Sequence, residues 1–232
     1  MRNKFNEESF ASKGLSIDTP IFAITLFVSP PLMLNFNLNL TAIIPYLWEI
    51  SAAVLSLWCV WLAAKNNILN WPIAMAASVI YAYVFYQNRF FSETYLQGIF
   101  FLFQIYGWWY WSSLNPKKTE KNIQKLPKSY ILTLLGAFSL AYFIWLKVYL
   151  SYHPNAQQPY LDAFLTVLSV TALWMQARRW IENWYLWILA DLFYVPMFFW
   201  GKQYITAALY GVFIVLATKG YFMWRREMKK AV

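Results

Sequence analysis

The run from Gln97 to Trp111, GIFFLFQIYGWWYW after its first glutamine, sets two amides and a closing set of aromatics inside a long apolar stretch. On a helix, Gln97, Phe101, Gln104, Trp108 and Trp111 follow one another at steps of four, three, four and three, so they share one face. Amides in such a helix are costly unless a partner or a polar ligand satisfies them. Amides beside indoles offer hydrogen bonds and flat π-faces together, which suits a planar, polar, cationic small molecule. Asp191 points the same way. It lies near the centre of another apolar run, 183–201, where a carboxylate is expensive and usually functional. Trp184, Trp187, Tyr194 and Phe198 share its face. The plainer readings are structural. Asp191 can bond a tyrosine or pair with Lys219, and Lys219 can instead reach the surface. Trp109 and Trp111 suit an interfacial aromatic belt. Asn70 and Asn183 each precede a tryptophan at a helix start, where asparagine is first of all an N-cap.

These groups need elements to hold them, and the composition names the elements. Of 232 residues, 60% are hydrophobic and only 12% charged. Soluble domains average about 25% charged residues. Apolar segments of bilayer-spanning length recur at 46–64, 70–88, 94–114, 129–150, 160–178, 183–201 and 204–225. The chain reads as an all-α integral membrane protein with seven transmembrane helices. An earlier apolar stretch, 20–38, is broken by Pro30 and Pro31 and reads as an interfacial helix. The net charge of +9 does not imply nucleic acid, because the cations sit in short loops rather than on one face. Lys65, Lys117 to Lys128, Arg178 with Arg179, and Arg225 to Lys230 fall on one side, which the positive-inside rule makes cytoplasmic, with the C-terminus. Cys59 and His153 are single, with no metal spacing around them, and no nucleotide-binding loop or nucleophile–base pair is present. Neither an enzyme nor a resident cofactor is expected.

The chain also repeats itself. A shift of 113 residues, the separation of Trp71 and Trp184, lays the second half on the first without a gap. Val54-Leu55-Ser56 meets Val167-Leu168-Ser169, Tyr81 meets Tyr194, Gly107 meets Gly220 and Trp111 meets Trp224. About a quarter of positions 49–111 are identical in this single register. Three spans, one connecting span and three spans give parallel repeats. The units are 1–44 (tail and interfacial helix), 45–114 (first repeat), 115–159 (loop and linker helix), 160–226 (second repeat) and 227–232 (tail). Transporters of that class hold substrate between the repeats near the midplane. Ser78, Tyr81 and Asn88 lie on the first repeat's face matching that of Asp191. They are support or gate candidates, as are Lys219 and the pair Glu49 and Asp162 at equivalent outer helix ends.

NWPIAMAASVIYAYVFYQ, LQGIFFLFQIYGWWYW and ARRWIENWYLWILADLFYVPMF resemble the PnuC family of bacterial nicotinamide riboside transporters, with the likeness covering about 45–226. Its most specific parts are the pattern Gln104, Tyr106, Gly107, Trp108, Trp111 and the run Glu182, Asn183, Trp184, Trp187. The resemblance implies a SWEET-like fold in a bacterial inner membrane. It implies facilitated uptake of nicotinamide riboside, trapped inside by a separate cytoplasmic kinase. Substrate-binding candidates are then Gln97, Gln104, Trp108, Asn183, Trp184, Trp187, Asp191 and Tyr194. Tryptophan faces would meet the pyridinium, the amides its carboxamide, and Asp191 the ribose or the cation. With no buried arginine to receive a phosphate, the mononucleotide should be excluded. A thiamine or riboflavin carrier on the same scaffold is the near alternative. A retinal photoreceptor, with Lys219 as Schiff base and Asp191 as counter-ion, is the distant one. The bilayer is a partner on any of these readings, and a second copy of the chain is an allowed one.

Overall fold

The computed structural model describes residues 40–87, 91–113, 123–152, 158–200 and 204–230. The stretch 20–38, Asn88, His153 and most of the basic loop after residue 114 lie outside the described residues. Within them are seven helices: α1 (Leu40–Ala64), α2 (Asn70–Gln87), α3 (Phe91–Ser113), α4 (Lys128–Tyr152), α5 (Pro159–Ala177), α6 (Asn183–Trp200) and α7 (Tyr204–Lys230). They follow the apolar runs because a helix satisfies its own backbone where water is absent. Two ends depart from the hydropathy. α1 begins six residues before the expected Tyr46, and α7 continues through Arg225 and Arg226 to Lys229 and Lys230. Cations in a last turn favour the helix dipole.

α4, α5 and the Ala207–Lys230 part of α7 are each long and apolar enough to cross a membrane. α4 is the most outward-facing of these, with Leu132, Leu140 and Phe143 well exposed. Apolar side chains presented outward along a whole helix suit lipid rather than water. α4 packs on α5, α1 on both α2 and α7, α3 on both α2 and α5, and α6 on α5 and α7.

The turns joining α1 to α2 and α5 to α6 are built alike. Each holds one non-glycine residue in the left-handed region, Asn66 at φ 53° and Arg179 at φ 57°. Asn70 Nδ2 donates to the Asn67 carbonyl at 2.7 Å, and Asn183 Nδ2 to the Trp180 carbonyl at 2.6 Å. The N-cap reading of these asparagines is therefore corrected. They stand as the first helical residues and donate back into the turn, while Asn67 Oδ1 accepts from the Leu69 amide at 2.9 Å.

Tryptophans close this end of the bundle. Trp71 meets Trp111 edge-on with centroids 5.4 Å apart, and Trp184 meets Trp224 edge-on at 5.5 Å. Trp111 and Trp224 lie 6.4 Å from each other. The indole of Trp111 donates to the Ala177 carbonyl of α5, and that of Trp224 to the Ala63 carbonyl of α1, each at 2.9 Å. A belt facing lipid is thus not the role of Trp111, which is 2% exposed. Gly107 and Gly220 make room for this packing, since a Cβ at either would collide with the ring of Trp71 or Trp184. Arg179 lies over the Trp111 ring at 4.1 Å. Burial lowers its pKa to about 10 against the opposing pull of Glu227, so it stays charged at neutral pH. Glu227 also accepts from Asn66 Nδ2 at 2.7 Å, tying the end of α7 to the α1–α2 turn.

Candidate substrate cavity

A cavity of about 200 Å³ lies between α1–α3 and α5–α7, walled mainly by apolar and aromatic side chains. Every lining residue except Cys59 and Asn70 belongs to a pair 113 residues apart. Ser56 pairs with Ser169, Trp71 with Trp184, Tyr81 with Tyr194 and Phe100 with Phe213. The differences within pairs make the chemistry one-sided. Ser78 pairs with Asp191, Gln104 with Ala217, Gln97 with Tyr210, Ala63 with Gln176 and Ala74 with Trp187.

α2 and α3 place the first amide group. Ser78 and Gln104 are both buried and hydrogen-bonded, with Gln104 Nε2 to Ser78 Oγ at 3.0 Å and Ser78 Oγ to Gln104 Oε1 at 3.2 Å. A glutamine can donate twice and accept twice, so the pair keeps capacity for a ligand. Gln97, two helical turns earlier, lines the same wall with Phe100. α6 places Asp191, 6% exposed, among Ala190, Tyr194 and Trp187. No hydrogen bond or ion pair reaches the Asp191 carboxylate among the described residues. A carboxylate on the wall of an apolar cavity, with no protein partner, is the feature most in need of a ligand. Among the described residues no lysine or arginine lines the cavity; Arg179 is buried, against the expectation of no buried arginine, but it lies over Trp111 and outside the lining.

Of the expected site residues, Gln97, Gln104, Trp184, Trp187, Asp191, Tyr194, Ser78 and Tyr81 gather here. Trp108 does not: it is 44% exposed and turned to the outer surface of α3, because a wall this narrow takes only one side of the five-residue stripe. Asn183 is fully buried and is not part of the cavity lining, with its Nδ2 bonded into the turn. Lys219 is exposed on α7, which removes it as partner to Asp191 and as a Schiff-base lysine. Asp162 sits apart, accepting from the Tyr149 hydroxyl of α4 at 3.1 Å. Glu49 lies in α1, its side chain outside the described residues. Gln176 was not expected. It lies in the last turn of α5, donates from Nε2 to Asn70 Oδ1 at 3.3 Å, and accepts from Trp187 Nε1 at 3.1 Å.

Residues 46–226 match the family model for nicotinamide mononucleotide transporters. The chain belongs to that family. Among its relatives, the nicotinamide riboside transporter PnuC of Escherichia coli is 24% identical over 200 residues, covering 76% of this chain and 84% of that protein. The riboflavin/roseoflavin transporter RibM of Streptomyces davaonensis is 22% identical over 165 residues, 70% of this chain and 77% of that one. The crystal structure of the vitamin B3 transporter PnuC superimposes with a TM-score of 0.62 at 21% identity, covering 82% of this chain and 87% of that one. As a member of this family the chain is an integral membrane transporter and not an enzyme. Photoreceptor chemistry is set aside with it.

Proposed function

We propose that the chain takes up nicotinamide riboside by facilitated diffusion, through alternating access around the cavity. The observation that carries this reading is the Asp191 carboxylate, partnerless on the wall of an aromatic cavity. It is suited to a ligand that is flat, cationic and rich in hydroxyls. The riboside combines all three. Its pyridinium finds Trp187 and Tyr194, its carboxamide Gln104 and Gln97, and its charge or ribose Asp191. A cation over an aromatic face contributes about 0.5–2 kcal/mol.

The family model's description names the mononucleotide, but a phosphate adds about −1.5 to −2 charges at neutral pH. With no lysine or arginine on the wall and one carboxylate already there, the unphosphorylated riboside is favoured. The flavin of a RibM-type substrate is uncharged and would leave Asp191 without a counter-charge. Thiamine, also cationic, lacks the carboxamide that the amides can read.

Pairing of the cavity wall at 113 residues supports three-plus-one-plus-three parallel repeats, with α4 as linker. The four tryptophans lie at the end that also carries Lys65, Arg178, Arg179 and Arg225, which supports a cytoplasmic gate there and a cytoplasmic C-terminus. Access to that side requires parting the α3–α5 and α1–α7 contacts bridged by Trp111 and Trp224. Retention of the riboside inside would come from a separate kinase. The test is calorimetric titration of purified protein with nicotinamide riboside, its mononucleotide, riboflavin and thiamine. Heat from the riboside alone supports the reading. Equal binding of the mononucleotide, or a thiamine signal without a riboside one, contradicts it.

A further inference from the structure

Three tryptophans line the cavity, and they are not alike. Trp71 and Trp184 are fully buried and engaged edge-on with Trp111 and Trp224. Trp187 is half-buried, packs against the core beside them, and lines the cavity without a ring–ring contact among the described residues. Its polar handle is the bond from Nε1 to Gln176 Oε1 at 3.1 Å. Gln176 is itself held, donating to Asn70 Oδ1 at 3.3 Å, and Asn70 is fixed to the Asn67 carbonyl at 2.7 Å. The result is a brace running from the α1–α2 turn, through α5, to the indole on α6. The other half of the cavity has nothing like it: Ala63 and Ala74 stand where Gln176 and Trp187 would be.

We propose that Gln176 is a positioning residue, which orients the Trp187 ring as the stacking wall for the substrate's pyridinium and so fixes which side of the cavity receives the ring. The identity of that substrate rests on the riboside reading above. An indole attached through two rotatable bonds presents a defined face only when packing or a hydrogen bond selects one orientation. The amide satisfies that need, because its oxygen accepts from the indole while its nitrogen is anchored across the bundle. The brace also joins elements of both halves, so the ring's orientation depends on how α5 sits against the start of α2.

A double-mutant cycle tests this. Riboside affinity is measured for wild type, Gln176→Met, Trp187→Phe and the double variant. Methionine keeps the length of the side chain and removes both hydrogen bonds. Gln176→Met is expected to weaken binding about tenfold, the scale of one lost buried hydrogen bond. In the Trp187→Phe background, where no indole N–H exists to brace, the same change should cost under about twofold. An equal loss in both backgrounds, or no loss in either, overturns the proposal. Should Gln176→Met not fold, Asn70→Ala takes its place in the same cycle. A readout without ligand separates this from the substrate reading. With ¹⁵N-labelled tryptophan, the Trp187 indole resonance, assigned by its loss in Trp187→Phe, should shift in Gln176→Met. An unmoved resonance overturns the brace whether or not the riboside binds. A shifted resonance in a protein that ignores the riboside upholds the brace and removes the substrate.

Discussion

On the proposed function, Asp191 decides what the cavity accepts. Its neighbours offer area and hydrogen bonds to many flat molecules, but it alone brings charge to the wall. Asp191→Asn keeps the shape and removes the charge. It should weaken riboside binding by about 1.5–3 kcal/mol, roughly ten- to 150-fold, the range for a hydrogen bond involving a charged group. Calorimetry on the variant checks this, and unchanged affinity would release Asp191 from the substrate. Much of this site was legible beforehand. A carboxylate or amide at mid-span has few innocent reasons to be there, and Gln97, Gln104 and Asp191 do meet in one cavity. Gln176 is harder to read from the sequence, because a glutamine in the last turn of a helix is ordinary. A signal was nevertheless present: Ser169, Leu173 and Gln176 follow at steps of four and three, on the face equivalent to Ser56, Val60 and Ala63. Trp108 was misplaced for the converse reason. Period 3.6 says which residues share a stripe, not how wide a stripe the neighbour covers.

At the scale of elements, two glycines let tryptophans seat against α3 and α7. Gly107→Ala and Gly220→Ala each force a methyl into a buried ring, Trp71 in one case and Trp184 in the other. Overpacking of this kind costs about 1–3 kcal/mol, and each variant should melt at a lower temperature than wild type in detergent. Gly98 and Gly211 are the internal controls, because a Cβ there meets nothing within 4 Å. Gly98→Ala and Gly211→Ala should melt close to wild type, and equal losses at all four sites would argue against the seating. The paired glycines and tryptophans were visible in the sequence as matches at one shift. Their use was not. A residue match cannot reveal that Trp111 reaches the carbonyl of Ala177 while Trp224 reaches that of Ala63, one position away from strict equivalence. Nor can it show that Asn70 and Asn183 donate backward rather than cap forward, since asparagine carries both donor and acceptor.

Across the whole molecule, helix number and order follow from the apolar runs; α7 runs past its apolar part through Arg225 to Lys230, and α1 starts six residues early through the mostly apolar 40–45. The placing of the helices around a cavity followed less directly. It depended on the repeat, which implied a ligand site between two similar units before any contact was known. Among the described residues the cavity wall carries one acid, Asp191, and no basic side chain, and facilitated diffusion is the proposed mode. Transport should therefore run down the riboside gradient only. The direct measurement is entry of labelled nicotinamide riboside into liposomes holding the purified protein, with no ion gradient and the labelled mononucleotide in parallel. Facilitated uptake predicts that the riboside fills the liposomes to the outside concentration and stops, while the mononucleotide stays out. Entry of the mononucleotide at a comparable rate, or no entry of the riboside beyond protein-free liposomes, would contradict it.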